Sequence, residues 1–359
     1  MIPYGHQWID DDDISAVVEV LKGEWLTQGP AVEQFEDSLC SATSARFAVA
    51  FSNGTAALHA ACAAAELGPG DVAATSPLSF AASANCARYV GASVRFVDVD
   101  PATLNLAPEQ VPSGIDALIA VHYAGLPVDL TRLRERPRIL IEDAAHALGA
   151  DTPDGPVGNC AHSDMTAFSF HPVKAVTTGE GGAVTTNSVE LADRLRAFRN
   201  HGIEQKPAVG GWYYEIAELG FNYRLTDIQA VLGTSQLSKL GRFVAERQRL
   251  ADRYRALLAG LPVTLPPQPA PGWTHAYHLF PVRIEHRGRV FDEMRASGIR
   301  VQVHYVPIYR HPIYREAGSE PAAFPATEDA YEHLLSLPMF PALTDQDQDR
   351  VVSALKAAL

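Results

Sequence analysis

Between about Ala45 and Phe198 the chain alternates short apolar runs with helical stretches, and this alternation limits the fold more than any other feature. The runs 46–50, 72–75, 93–99, 117–122, 139–142, 166–170 and 183–186 read as strands, and most are separated by helical sequence. Strands joined through helices lie parallel and are covered on both faces, so the pattern predicts an α/β fold built on a mostly parallel sheet.

A helical pattern then continues through Gly233–Phe243 to about Leu258, where Pro262, Pro266, Pro267, Pro269 and Pro271 break it. So dense a proline cluster reads as a linker. Beyond it, an apolar run at 277–285, a helix near 290–297, a strand at 301–305 and a last helix from Thr344 predict a smaller α/β domain. The expected organisation is an N-terminal segment with a large domain over 1–258 and a small C-terminal domain over 259–359.

The composition narrows the class of function. With 47% apolar residues in 359, the chain can bury a large core. A net charge of −13 disfavours a nucleic-acid surface, which needs positive potential to displace counterions. No apolar run reaches the ~18 residues of a membrane helix, and the N-terminus is not that of a secreted protein, so a soluble cytoplasmic protein is expected. The four cysteines, Cys40, Cys62, Cys86 and Cys160, show no metal-ligand spacing. Asp10–Asp13 precedes an amphipathic stretch and reads as helix capping and dipole compensation, with no metal expected.

One of only five lysines, Lys174, stands in Phe168-Ser-Phe-His-Pro-Val-Lys174-Ala-Val-Thr-Thr-Gly-Glu-Gly-Gly182, between apolar residues and a glycine-rich turn. A desolvated lysine there has a lowered pKa and a nucleophilic amine, although a lysine on a surface corner would look similar. Upstream, Ile139-Leu-Ile-Glu-Asp143-Ala-Ala-His146 reads as a buried strand whose carboxyl end presents Asp143 to a crevice. An acid so placed either caps the next segment of chain or faces a pyridine nitrogen, which is how a protein makes pyridoxal phosphate an electron sink. Asn53-Gly54-Thr55 opens an alanine-rich helix after another strand, and a helix start supplies free N–H groups for a phosphate. Phe80, just past a further strand, could cover a flat ring or simply pack in the core.

These elements occur together. Asn53-Gly-Thr55, Pro77-Leu-Ser-Phe80, Glu142-Asp-Ala-Ala-His146, Ser169-Phe-His-Pro-Val-Lys174, Gly179-Glu-Gly-Gly182 and Asn222-Tyr-Arg-Leu-Thr-Asp-Ile-Gln-Ala230 follow the order and spacing of the DegT/StrS-type pyridoxal-phosphate sugar aminotransferases, and the resemblance spans essentially the whole chain. It implies the fold type I (aspartate aminotransferase-like) architecture. It also implies that Lys174 holds the cofactor as a Schiff base, Asp143 pairs with the pyridine nitrogen, Phe80 stacks on the ring and His146 lies near its hydroxyl. Thr55, with Gly54, and Ser169 would bind the phosphate. Asn222 would reach the neighbouring subunit's phosphate in a homodimer.

Near the ends, Ile2-Pro-Tyr4-Gly, Trp25-Leu-Thr27-Gln-Gly-Pro30 and Val301-Gln-Val-His304-Tyr305 resemble the branch that aminates UDP-linked 4-keto-6-deoxy-N-acetyl-β-L-altrosamine-type sugars for pseudaminic acid. Tyr4, Thr27, His304 and Tyr305 would then lie near the nucleotide sugar, with glutamate as the expected amino donor. Alternation along a strand at 301–305 would put His304 and Tyr305 on opposite faces, against a shared metal. Arg224, Arg283, His304 and Arg310 are candidates to meet the diphosphate. Related 3-dehydratases carry histidine where Lys174 stands, so the resemblance favours amination. Two alternatives remain open: another UDP- or dTDP-linked 4-keto hexose as substrate, or a sensor that binds cofactor or nucleotide sugar without turnover.

Overall fold

The computed structural model describes residues 1–315 and 320–359. Its main sheet holds β1 (Phe47–Phe51), β2 (Val72–Thr75), β3 (Ser93–Phe96), β4 (Ala117–Val121), β5 (Ile139–Asp143), β6 (Met165–Ser169) and β7 (Gly182–Thr186), in spatial order β1-β7-β6-β5-β4-β2-β3. Only β7 runs against the rest: it pairs antiparallel with β1 and β6, and the other pairs are parallel. The seven strands match the seven apolar runs, with small shifts at their ends. The central strands β4 and β5 are apolar at consecutive positions because both their faces are covered.

One face packs under α3 (Gly54–Ala64), α4 (Ala82–Tyr89) and α5 (Val189–Arg199), in a core that joins Val49, Phe51, Ile141 and Val184 to Leu58, Cys86 and Leu195. Small side chains almost all round α3 let it lie close to the sheet. The other face takes Ala48, Ala50 and Phe168 against Phe35 and Leu39 of α2 (Pro30–Thr43) and against α6 (Asp227–Leu237) and α7 (Leu240–Leu258).

Where one helical pattern was expected across 233–258, the structure has a break at Ser238–Lys239. Lys239 turns toward the start of α1 (Asp11–Lys22), where it pairs with Asp10 and, at 2.9 Å, with the fully buried Asp13. Asp10 caps α1 in a reciprocal box with Asp13. Asp13 also accepts from Ser235 Oγ (2.6 Å) and Gln236 Nε2 (2.7 Å), so the acidic run stitches α1 to the α6–α7 corner.

After α7 comes a small antiparallel sheet of β10 (Val263–Thr264), β11 (Phe280–Ile284) and β12 (Leu334–Leu337), with α8 (Arg287–Ala296), α9 (Pro325–His333) and α10 (Asp345–Ala358). The exposed hairpin Ile203–Gln205 with Tyr214–Ile216 supplies β8 and β9. Ile2 and the Leu250–Leu258 half of α7 share a core with Phe280, Val282, Met294 and Leu355, so residues from both sides of Leu258 build it.

The strand expected at 301–305 is absent. Only Gln302 bridges, to Ser336; Val301 N instead bonds Ile299 O (3.0 Å), and Tyr123 Oη donates to His304 O (2.6 Å), so these backbone groups join no ladder.

Candidate active site

β5 ends on Asp143 and its parallel neighbour β6 on Ser169, so both project at the carboxyl edge of the sheet. They open into a cavity of about 890 Å³ that Lys174, Gly54, Thr55, Phe80 and His146 also line.

Lys174 lies on a loop closed at its base by two backbone bonds, Phe170 N to Gly181 O (2.8 Å) and Thr178 N to Phe170 O (3.0 Å). The loop returns through Gly179 at φ +80°. Gly182 then passes so close to the start of α3 that a Cβ there would lie 2.4 Å from Asn53 O. Among the described residues Lys174 Nζ makes neither an ion pair nor a hydrogen bond. Burial pulls its pKa from 10.5 down to about 8, with Asp143 opposing the shift and Arg247 adding to it. About one amine in ten is therefore unprotonated at pH 7, far more than for an ordinary lysine.

Asp143 is fixed through both oxygens. Ser83 Oγ donates to Oδ2 (2.6 Å) and Ala145 N to Oδ1 (3.2 Å), while Ser79 and Ser83 share a hydroxyl bond of 2.7 Å behind them. Across the cavity, Asn53 caps α3 by accepting from Ala56 N (2.8 Å), and helix geometry leaves the first-turn N–H groups around Gly54 and Thr55 free of carbonyl partners. A Cβ on Gly54 would lie 2.8 Å from Ser169 Cβ, so the two walls of this cradle meet where only glycine fits.

The opposite wall is aromatic and neutral. His146 Nε2 meets Tyr305 Oη at 3.1 Å, and its ring lies 4.3 Å from that of His278. Burial, reinforced by Lys174, takes His146 well below its ordinary pKa, and burial reinforced by His146 does the same for His278. His304 falls to about 4, again by burial and then Lys174. The Nδ1 atoms of His146 and His278 are buried without a partner among the described residues. Tyr4 lies 5.2 Å from the His304 ring, and Phe80, 62% exposed, lies 6.3 Å from Tyr305. His304 and Tyr305, expected on opposite faces, line the same cavity across a cis peptide bond, since strand alternation does not hold where there is no strand.

Not every expected residue arrives. Thr27 is exposed and bridges Thr226, and Asn222 is exposed and bridges Asn200; neither lines the cavity. Arg224 bonds Asn200, Arg283 pairs with Asp329, and Arg310 pairs with Glu328. No arginine among the described residues lines the cavity. A second, more open groove of about 1020 Å³ is lined by arginines and acids such as Arg199 and Glu36, which neutralise one another; no lysine among the described residues lines it, and burial with the nearby Asp37 and Glu36 raises the pKa of its thiol, Cys40. Sequence reading missed Ser79, Ser83, His278 and Arg247.

The residues present fit pyridoxal phosphate. The lysine is unpaired and easily deprotonated, the carboxylate is held by donors, and a helix start closes on a serine to form an anion cradle. An orphaned His146 nitrogen stands ready for a polar group.

The profile of the DegT/DnrJ/EryC1/StrS aminotransferase family matches residues 7–356. The spore coat polysaccharide biosynthesis protein SpsC of Bacillus subtilis (strain 168) is 34% identical over 99% of this chain and 96% of its own. Among solved structures, PseC of Helicobacter pylori, an aminotransferase involved in the biosynthesis of pseudoaminic acid, superposes with a TM-score of 0.92 at 28% identity, over 99% of this chain and 98% of that one. Spr1654 of Streptococcus pneumoniae in its PMP-form gives a TM-score of 0.93 at 26% identity, over 100% and 99%.

Proposed function

Because the chain belongs to the DegT/DnrJ/EryC1/StrS aminotransferase family, a family of pyridoxal-phosphate enzymes, we propose that it transfers an amino group from glutamate to the 4-keto group of a nucleotide-linked 6-deoxy sugar. The observation that carries this reading is the convergence of unpaired Lys174, donor-held Asp143 and the Gly54–Ser169 cradle on one cavity. The likeness to PseC, with the Tyr4, His304 and Tyr305 wall, supports the UDP-linked N-acetyl-altrosamine precursor of pseudaminic acid as the sugar.

Bound at Lys174, pyridoxal phosphate withdraws electrons from the carbon that carries the amine. Asp143 would hold a proton at the pyridine nitrogen, its two oxygens oriented by Ser83 and Ala145. Gly54, Thr55 and Ser169 would hold the phosphate, Phe80 would cover the ring, and the His146 nitrogen would meet its hydroxyl. Lys174, released when an amine replaces it, would take a proton at Nζ from the carbon that carries the amine and return it to the carbon on the other side of the nitrogen, two atoms away, first for the donor and then in reverse for the sugar. The low basicity given by burial suits it to both directions. Tyr4, His304 and Tyr305 would contact the sugar.

Among the described residues, the cavity of one chain has no arginine to meet its anionic ligands, and Thr27 and Asn222 lie outside it. In our reading both serve the cavity of a second copy in a homodimer. Trp212 (79% exposed), Leu219 (90%) and the apolar residues of β9 give that contact its surface. No helix among the described residues is long and apolar enough to cross a membrane; we place the enzyme in the cytoplasm.

The test is a panel of UDP- and dTDP-linked 4-keto sugars incubated with glutamate, with the amino sugars identified by mass spectrometry. Turnover of the UDP-linked altrosamine precursor ahead of the others is expected, and a Lys174→Ala variant should lose at least about 10²-fold in rate. A Lys174→Ala variant with unchanged turnover would refute the anchor, and cofactor that stays unaltered by glutamate would favour a sensor.

A further inference from the structure

Arg247 on α7 is fully buried, yet no carboxylate pairs with it among the described residues. Its guanidinium meets main-chain carbonyls alone. Nη1 donates to Met339 O (3.0 Å), Tyr277 O (3.1 Å) and His278 O (3.4 Å), Nη2 donates to Val173 O (3.5 Å), and Nε is left without a partner. A buried cation held this way is costly, and an apolar side chain of similar volume would be expected to serve stability as well. Burial lowers its pKa only to about 10, so the charge persists at neutral pH.

The four carbonyls come from three distant segments, each of which builds a wall of the cavity. Val173 precedes Lys174. His278 packs its ring on His146. Met339 donates its N–H to Tyr4 O (2.9 Å) and so carries the Tyr4 wall. Arg247 itself does not line the cavity.

We propose that Arg247 is a positioning residue for amino transfer: its planar fork holds the Lys174 turn in register with the His278 and Tyr4 walls and keeps a positive charge behind the lysine. This rests on Lys174 being the cofactor's anchor. Lys174 also faces Asp143, His146, His278, His304 and Tyr305. The histidines are neutral by burial, which leaves Asp143 and Arg247 as the opposing charges that tune it. A lysine at 247 keeps the charge but cannot span three segments, whereas a glutamine keeps a donor and loses the charge.

Two holoenzyme variants separate these roles. R247K should keep its melting temperature near wild type and its sugar KM within about threefold, lose roughly 10- to 100-fold in kcat from misplacement of the lysine, and retain the pH midpoint of the lysine-bound cofactor's absorbance. R247Q should move that midpoint upward, because removing a nearby positive charge favours the protonated nitrogen. Wild-type kcat in R247K, or a wild-type midpoint in folded R247Q, would overturn the inference. So would a joint collapse of melting temperature, KM and kcat in R247K, which marks a merely structural role. If R247Q does not fold, the kcat of R247K decides alone. Failure of the underlying reading looks different: borohydride reduction of wild-type enzyme would then leave the cofactor on a residue other than Lys174.

Discussion

Pyridoxal phosphate added to the apo-protein should be captured at a rate that climbs about tenfold per pH unit up to about pH 8 and then levels off. Only the unprotonated amine attacks the aldehyde, and burial brings Lys174 from 10.5 to about 8 against the pull of Asp143 and with the help of Arg247. At pH 7 about one amine in ten is then ready, against about one in three thousand for an ordinary lysine, a gain of roughly 300-fold. The sign is fixed by chemistry: the lowered pKa enlarges the reactive neutral population at every pH below 10.5. Stopped-flow absorbance gives the rate, and borohydride reduction with peptide mass spectrometry assigns it to Lys174. Lys206 and Lys239 provide internal controls. Hydrogen bonds from Lys206 to Glu204, and from Lys239 to Asp10 and Asp13 against burial, raise both above the ordinary value, so labelling there should lag far behind. A Lys174 rate that still climbs steadily through about pH 10 would refute the argument.

Ser83→Ala removes the 2.6 Å donor to buried Asp143 and should weaken cofactor binding about tenfold or more, as expected for loss of a hydrogen bond to a charged group; absorbance titration of the apo-protein reads this, and an unchanged Kd would count against Asp143 as the pyridine partner. Gly54→Ala places a methyl 2.8 Å from Ser169 Cβ, so the cradle must open; phosphate-dependent affinity should fall by more than affinity for pyridoxal lacking the phosphate, and equal losses would argue against a phosphate site there. Asp13→Ala leaves Lys239, Ser235 and Gln236 without a shared buried acceptor and should cost about 3 kcal/mol in urea denaturation with little change in KM; a loss under ~0.5 kcal/mol would show that the α1 stitch is dispensable.

The parts legible in the sequence share one property: each is local. The strands of the main sheet are short runs of consecutive apolar residues, and the carboxyl end of a parallel strand is where a ligand crevice forms. Asp143 could thus be placed at a crevice before any contact was known, and the helix start at Gly54 offers free N–H groups that a phosphate could use. The strand expected at 301–305 failed for a non-local reason. Alternation in Val301-Gln-Val-His-Tyr305 is real, but Tyr123, 181 residues away in sequence, takes the His304 carbonyl, and the ladder stops after the one bridge at Gln302. Ser83 was equally out of reach, since its bond to Asp143 spans 60 residues.

Arg247 is a different case, because its signal was present. The buried stripe of α7 runs Leu240, Phe243, Arg247, Leu250, Tyr254 and Leu258, the three- and four-residue spacing of a core-facing helix, with a guanidinium in the middle. A charge on such a stripe contradicts the pattern unless something in the core can accept five N–H donors, and carboxylates are the usual acceptors. Here the acceptors are carbonyls freed where strands and turns end: 173 in the lysine loop, 277 and 278 just before β11, and 339 just after β12. Val173 and His278 line the cavity themselves, and Met339 holds Tyr4 there through its N–H. A cation on an apolar stripe with no acid to meet it among the described residues here leads to the candidate site, at the peptide bond next to Lys174.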